Sequence, residues 1–136
     1  MKRLQDNVTI ITGGGKGIGF GLASAFAKEG SNLVITGRNE ARLLEAKKKL
    51  EEGYGVKVLA LVADGADEVK IKEVIAKTVD TFGKINTLIN NAQTSKSGLS
   101  LIEHTKEDFD LAINSGLYAT FFYMKEAFPY LKESKG

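Results

Sequence analysis

The chain has 136 residues, enough for one domain with a sizeable core. Its 19 basic and 17 acidic residues leave a net charge of only +2, which argues against nucleic-acid binding through a basic surface. It has no cysteine, which excludes disulfides, thiol catalysis and thiolate metal sites. No apolar run reaches transmembrane length, and the N-terminus "MKRLQDN" lacks the hydrophobic segment of a signal peptide, so a soluble cytoplasmic protein with no membrane partner is expected.

In chain order, "NVTIIT" (7–12) reads as a buried strand. "TGGGKGIGFG" (12–21) follows, and after it Ile18, Leu22, Ala25 and Phe26 suggest one face of a helix stopping at Gly30. "NLVIT" (32–36) is a second strand, and residues 40–52, with Leu43, Leu44 and Leu50, a second helix ending at Gly53. The dense basic run, Lys47 to Lys49, reads as a solvated face of that helix. "KVLALVA" (57–63) is a third strand. Asp67 then caps a helix over 68–82, striped by Ile71, Ile75, Val79 and Phe82 and stopped by Gly83. "TLIN" (87–90) is a fourth strand, and "NAQTSKSG" a polar loop. Thr105 and Asp108 have capping-box spacing. The last segment, "GLYATFFYMKEAFPYLKES", is apolar on more than one face, with Pro129 expected to end or kink its helix.

Strands alternating with helices specify an α/β fold, a parallel sheet with helices on both faces in a single domain spanning 1–136. Right-handed crossovers place the strands in the order 3-2-1-4. The sheet would then end at strand four, an open edge, and Phe121, Phe122, Met124 and Phe128 would lack cover. A homo-oligomer with residues 109–132 in the contact is expected from these two features.

The glycines have a physical reading in this context. Gly13 permits a tight exit from the first strand, and Gly17 and Gly19 remove side chains where a ligand must come close. A helix starting near Gly17 turns its free N–H groups and positive dipole end toward that gap, which suits a pyrophosphate. The second strand ends at Gly37, with no acidic residue to hold a ribose hydroxyl pair, and Arg38 follows. A guanidinium there offers a bidentate fork to a 2′-phosphate, so NADP(H) is favoured over NAD(H).

The pattern Thr12-Gly13-x-x-x-Gly17-x-Gly19, "NNA" at Asn90–Ala92 and Asp64 at the end of the third strand resemble the short-chain dehydrogenase/reductase family. The resemblance covers the whole chain. A methyltransferase of similar fold would carry an acidic-led glycine turn and no "NNA". The resemblance implies a Rossmann-like doubly wound sheet and a cofactor site of Gly13, Lys16, Gly17, Ile18, Gly19, Arg38, Asp64, Asn91 and Ala92, with Asp64 at the adenine and Lys16 as a second basic contact. It implies a small carbonyl or alcohol substrate.

The family's proton-transfer residues are not matched. The residues four positions after Tyr54, Tyr118, Tyr123 and Tyr130 are Val58, Phe122, Ala127 and Ser134, none of them a lysine. The family's catalytic serine would fall beyond Gly136. Its helix-borne asparagine falls on Gly116, and Gln93 stands where "NNAG" has glycine, beside the expected nicotinamide ribose. Asn114, two positions before Gly116, points elsewhere on a helix. His104 reads as a solvated loop residue, and no acidic cluster has metal-ligand spacing. No catalytic residue is therefore assigned, and the chain is expected to be a truncated member that is inactive alone. A non-catalytic dinucleotide-binding or oligomerisation module is the alternative.

Overall fold

The computed structural model describes residues 1–136. Four short strands, β1 (Val8–Ile11), β2 (Asn32–Gly37), β3 (Val58–Val62) and β4 (Thr87–Ile89), form one parallel sheet in the order β3-β2-β1-β4. Val8 pairs with Asn32, Leu33 with Val58 and Thr9 with Thr87, so β1 and β2 occupy the centre. These two are buried along almost their whole length, as their β-branched runs require when both faces are covered.

The two-residue side-chain period divides the sheet into two cores. Ile11, Leu33 and Ile35 pack with Ala23, Ala27, Leu43 and Leu50 from α1 (Gly17–Lys28) and α2 (Glu40–Tyr54). Ile10 and Val34 pack the opposite way, against Ile71, Val74, Ile75, Tyr123 and Ala127 from α3 (Glu68–Phe82) and α5 (Ala119–Ser134). Between β4 and α5 lie a loop, a 3₁₀ turn (Leu101–Glu103), α4 (Lys106–Ala112) and a π-helical segment (Ile113–Tyr118). No helix is long and apolar enough to cross a membrane.

α3 has the boundaries its sequence announces: the Asp67 carboxylate accepts from the Val69 and Lys70 N–H groups, and Gly83 closes the helix. α4 opens on the reciprocal capping box of Thr105 and Asp108. Three details differ from the sequence reading. The buried face of α1 is Gly19, Ala23 and Ala27, whereas Ile18 is 79% exposed. A helix seated this closely on a sheet admits only small side chains along its contact line, which leaves Ile18 and Ala25 pointing outward. α2 runs through Gly53 to Tyr54 and is capped by Gly55, with Leu44 exposed and Ala46 buried instead. α5 does not end at Pro129 but continues to Ser134. That proline is exposed, and the turn beyond it is held by Tyr130 and Leu131 against the core and by the Ser134 hydroxyl donating to the Ile85 carbonyl at 2.5 Å.

Candidate functional site

A cleft of about 230 Å³ opens past the C-terminal ends of the strands. Thr12, Gly37, Asp64 and Asn90, which follow or end β1, β2, β3 and β4, all line it. This is where the strand order reverses, at β1, so the crossovers to β2 and to β4 leave in opposite directions and a crevice remains between them.

The glycine turn gives the cleft its shape. Gly17, the first residue of α1, has φ +55°, a conformation an L side chain adopts at a cost. At Gly19 a Cβ would run into the Gly13 carbonyl oxygen and approach the Asn91 amide to 2.7 Å. Only glycine lets the first turn of α1 come this near to the strand exit. α1 carries no acidic residue in that turn, and its first N–H groups have no carbonyl one turn back within the helix. The donor set and the bare backbone together fit a diphosphate at this helix end.

Two hydroxyl groups hold the loop after β4 in place. Thr12 Oγ1 accepts hydrogen bonds from the backbone N–H groups of Asn91 and Ala92, both at 3.0 Å. The Asn91 side-chain amide in return donates to the Thr12 carbonyl at 3.1 Å. Further along, Ser115 Oγ accepts from Thr94 N–H at 2.8 Å and lies 2.8 Å from the Thr94 carbonyl. Asn91 thus stands behind the cleft as a fastener, while Ala92 lines it.

Of the residues singled out from sequence, Gly13, Lys16, Arg38, Asp64 and Ala92 converge on the cleft wall. Gly17 and Gly19 shape the turn behind that wall, and Ile18 points to solvent. Arg38 Nε is 3.9 Å from Asp64 Oδ1, both side chains being more than half exposed. Such a pair contributes little by itself and leaves the guanidinium available. Arg42, in the first turn of α2, joins Arg38 and Lys16 in the lining of the cleft. Its position was not legible as a site residue because nothing in the local pattern distinguishes it from the other surface cations of α2. The lining includes three cations against one carboxylate, Asp64.

The lining also includes Gln93, Ser115, Thr120 and Tyr123. Burial pushes the Tyr123 hydroxyl up to about 12, partly offset by a hydrogen bond with Thr36, so the phenol stays protonated at working pH. The residue four positions on, Ala127, is buried and provides no ammonium to lower it. His104 sits outside the cleft, closing the 3₁₀ turn with Nδ1 3.9 Å from Asp108 Oδ2.

The family model for short chain dehydrogenases matches residues 7–136, nearly the whole chain. The chain belongs to that family. Among its relatives, a 12alpha-hydroxysteroid dehydrogenase from a Clostridium species is 57% identical over 135 residues, covering 95% of this chain and 52% of the relative. The fold neighbours include an L-sorbose reductase from Gluconobacter frateurii complexed with NADPH and L-sorbose, at TM-score 0.91 and 30% identity, covering 98% of this chain and 51% of that one. A short chain dehydrogenase from Burkholderia cenocepacia in complex with NADP matches at TM-score 0.88 and 30% identity, covering 95% and 52%. The chain spans about half the length of the curated relatives it matches. The strand order β3-β2-β1-β4, flanked by helices, matches the short-chain dehydrogenase structures it resembles.

Proposed function

We propose that these residues form the NADP(H)-binding part of an oxidoreductase that interconverts a carbonyl and an alcohol, a hydroxysteroid being the first substrate class to test. The observation that carries the cofactor choice is the cationic end of the cleft. Lys16, Arg38 and Arg42 meet there beside Gly37, which leaves no carboxylate at the end of β2. A 2′-phosphate would take the charge-assisted hydrogen bonds these groups offer. The first turn of α1 would hold the pyrophosphate, Asp64 would lie at the adenine, and Asn91 and Ala92 would keep the loop after β4 against the glycine turn. The steroid assignment is supported by the 57% identity to the hydroxysteroid dehydrogenase.

When bound, NADPH supplies a hydride, and reduction of a carbonyl needs a proton in addition. The residues on this chain bind and orient. None is poised to transfer that proton: burial raises the cleft's one tyrosine, Tyr123, to about 12 and so makes it a weak acid, and the alanine four residues on supplies no ammonium to stabilise its phenolate. We accordingly assign these 136 residues on their own a binding role without turnover. Calorimetric titration should show NADPH binding well ahead of NADH. Loss of NADPH absorbance with a steroid ketone should show no saturable rate. Equal affinity for the two cofactors would overturn the first assignment, and saturable turnover the second.

Self-association forms part of the same proposal. Leu117, Phe121, Met124 and Phe128 make an exposed row along α5 and the turn before it, each 55–63% exposed. Phe121 and Phe122 ring centroids lie 5.5 Å apart, so the row is continuous with a half-buried aromatic layer. A second copy packing the same helix against it would bury both rows together.

A further inference from the structure

The loop residue Gln93 and the helical residue Gly116, which both depart from the family pattern, touch each other. A Cβ built on Gly116 would lie 3.6 Å from Gln93 Cγ and 3.7 Å from its Cδ. The Gln93 side chain therefore rests on bare backbone of the π-helical segment, in the room a longer side chain at 116 would need. The segment is held at that distance by the Ser115 hydroxyl, which accepts from Thr94 N–H and lies 2.7 Å from the Leu111 carbonyl. The π-helical geometry itself brings residue 115 inward, where it is 8% exposed, and sets 116 facing the loop.

The neighbours of Gln93 are already committed. Asn91 directs its amide to the Thr12 and Gly13 carbonyls, and Thr94 is tied through its backbone to Ser115. Gln93 lines the cleft with a carboxamide that carries both a donor and an acceptor. It follows Ala92, whose Cα would lie 3.2 Å from a Cβ built on Gly13, so Gln93 stands beside the glycine turn, where a dinucleotide with its diphosphate on α1 and its 2′-phosphate at Arg38 would carry its second ribose. A group with adjacent hydroxyls, each able to donate and accept, is the chemical match for a carboxamide in that place.

We propose that Gln93, seated against Gly116, is a cofactor-contacting residue that hydrogen-bonds the hydroxyls of the nicotinamide ribose, and that a side chain reaching beyond Cβ at 116 would displace it. The proposal rests on the NADP(H) reading above. It separates from it through a probe, 2′,5′-ADP, which carries the adenine end and the 2′-phosphate but no second ribose.

The experiment is a set of calorimetric titrations of the 136-residue chain with NADPH and with 2′,5′-ADP. Gln93→Ala should weaken NADPH by about three- to tenfold, the loss of one or two neutral hydrogen bonds, and leave 2′,5′-ADP unchanged. Gly116→Leu fills the seat without replacing the amide and should weaken NADPH by a similar factor, again sparing 2′,5′-ADP. Retained 2′,5′-ADP binding also shows that each variant is folded. The double variant should be no weaker than the worse single one, because both remove the same contact. Unchanged NADPH binding in Gln93→Ala, or equal losses for both probes, overturns the assignment of Gln93 while leaving the cofactor reading standing. A chain that binds neither probe overturns both.

Discussion

Replacing Arg38 by alanine tests the charge logic of the cleft directly. Arg38 begins the loop after β2, with its side chain 58% exposed and its Nε 3.9 Å from Asp64. A hydrogen bond to a charged group contributes about 1.5–3 kcal/mol. Two features of the site point to the lower end of that range. Water competes for an exposed guanidinium, and Arg42 and Lys16 on the same wall take over part of the phosphate's charge. Removing Arg38 also frees Asp64, whose carboxylate then faces the phosphate without its neighbour. A net loss of about 1.5 kcal/mol corresponds to roughly a tenfold weaker NADPH complex. NADH, which lacks the 2′-phosphate, should change by less than about twofold, within the scatter of an exposed contact. The assay is a paired titration of both cofactors at two salt concentrations, because a screened ion pair should weaken further as salt rises. Equal losses for NADPH and NADH, or an NADPH affinity indifferent to salt, would refute the assignment of this end to the 2′-phosphate.

Gly19→Ala should abolish measurable NADPH binding and destabilise the fold by about 1–3 kcal/mol, read by urea unfolding, since its Cβ meets the Gly13 carbonyl. Tyr123 has its folded pKa raised to about 12, so its contribution is intact below about pH 10 and is lost as pH rises toward 12. Wild-type stability should therefore fall over that window by about 2–3 kcal/mol more than that of Tyr123→Phe, measured by denaturant melts at each pH. Phe121→Lys, which puts a charge into the exposed row of α5, should shift the light-scattering mass toward the monomer, and a wild-type chain already monomeric at micromolar concentration would contradict self-association.

The strands and α3 were legible because their signals are local. β1 and β2 are apolar runs rich in β-branched residues, and α3 carries its own cap, stripe and glycine stop within seventeen residues. α1 was legible as an element but not as a face. Its contact line is Gly19, Ala23 and Ala27, and small residues give no hydrophobic period, so the stripe was drawn to one side of it: Leu22 and Phe26 pack at the core's margin, whereas Ile18 and Ala25 face outward. Pro129 misled for the opposite reason: a strong local breaker was outweighed by the packing of Tyr130 and Leu131 beyond it. In the cleft, the glycine turn and Arg38 stood out by type and spacing. Thr12, Arg42 and the Gln93–Gly116 contact did not, since they gain meaning only when positions 12 and 91, 38 and 42, or 93 and 116 are brought together.

Where the hydrogen-bond donors around the cleft go explains why it suits a dinucleotide better than a small neutral substrate. Buried and half-buried backbone donors must find partners, and most of them here do so within the protein. Asn91 and Ala92 N–H groups go to the Thr12 hydroxyl, Thr94 N–H to the Ser115 hydroxyl, and Gly14 N–H to the Thr36 carbonyl. The loop after β4 is therefore fixed over residues 91–94 although it has no regular structure and hangs from a three-residue edge strand. Three groups of donors at or beside the cleft are left for a ligand in the NADP(H) reading proposed above: the cationic side chains of Lys16, Arg38 and Arg42, the first N–H groups of α1, and the carboxamide of Gln93. A ligand meeting all three would be long, with a phosphate at the cations, a diphosphate at the helix and a polyol at Gln93. A fixed frame holding unspent donors at such separations gives specificity through geometry as well as charge, because a shorter ligand would leave one end unsatisfied.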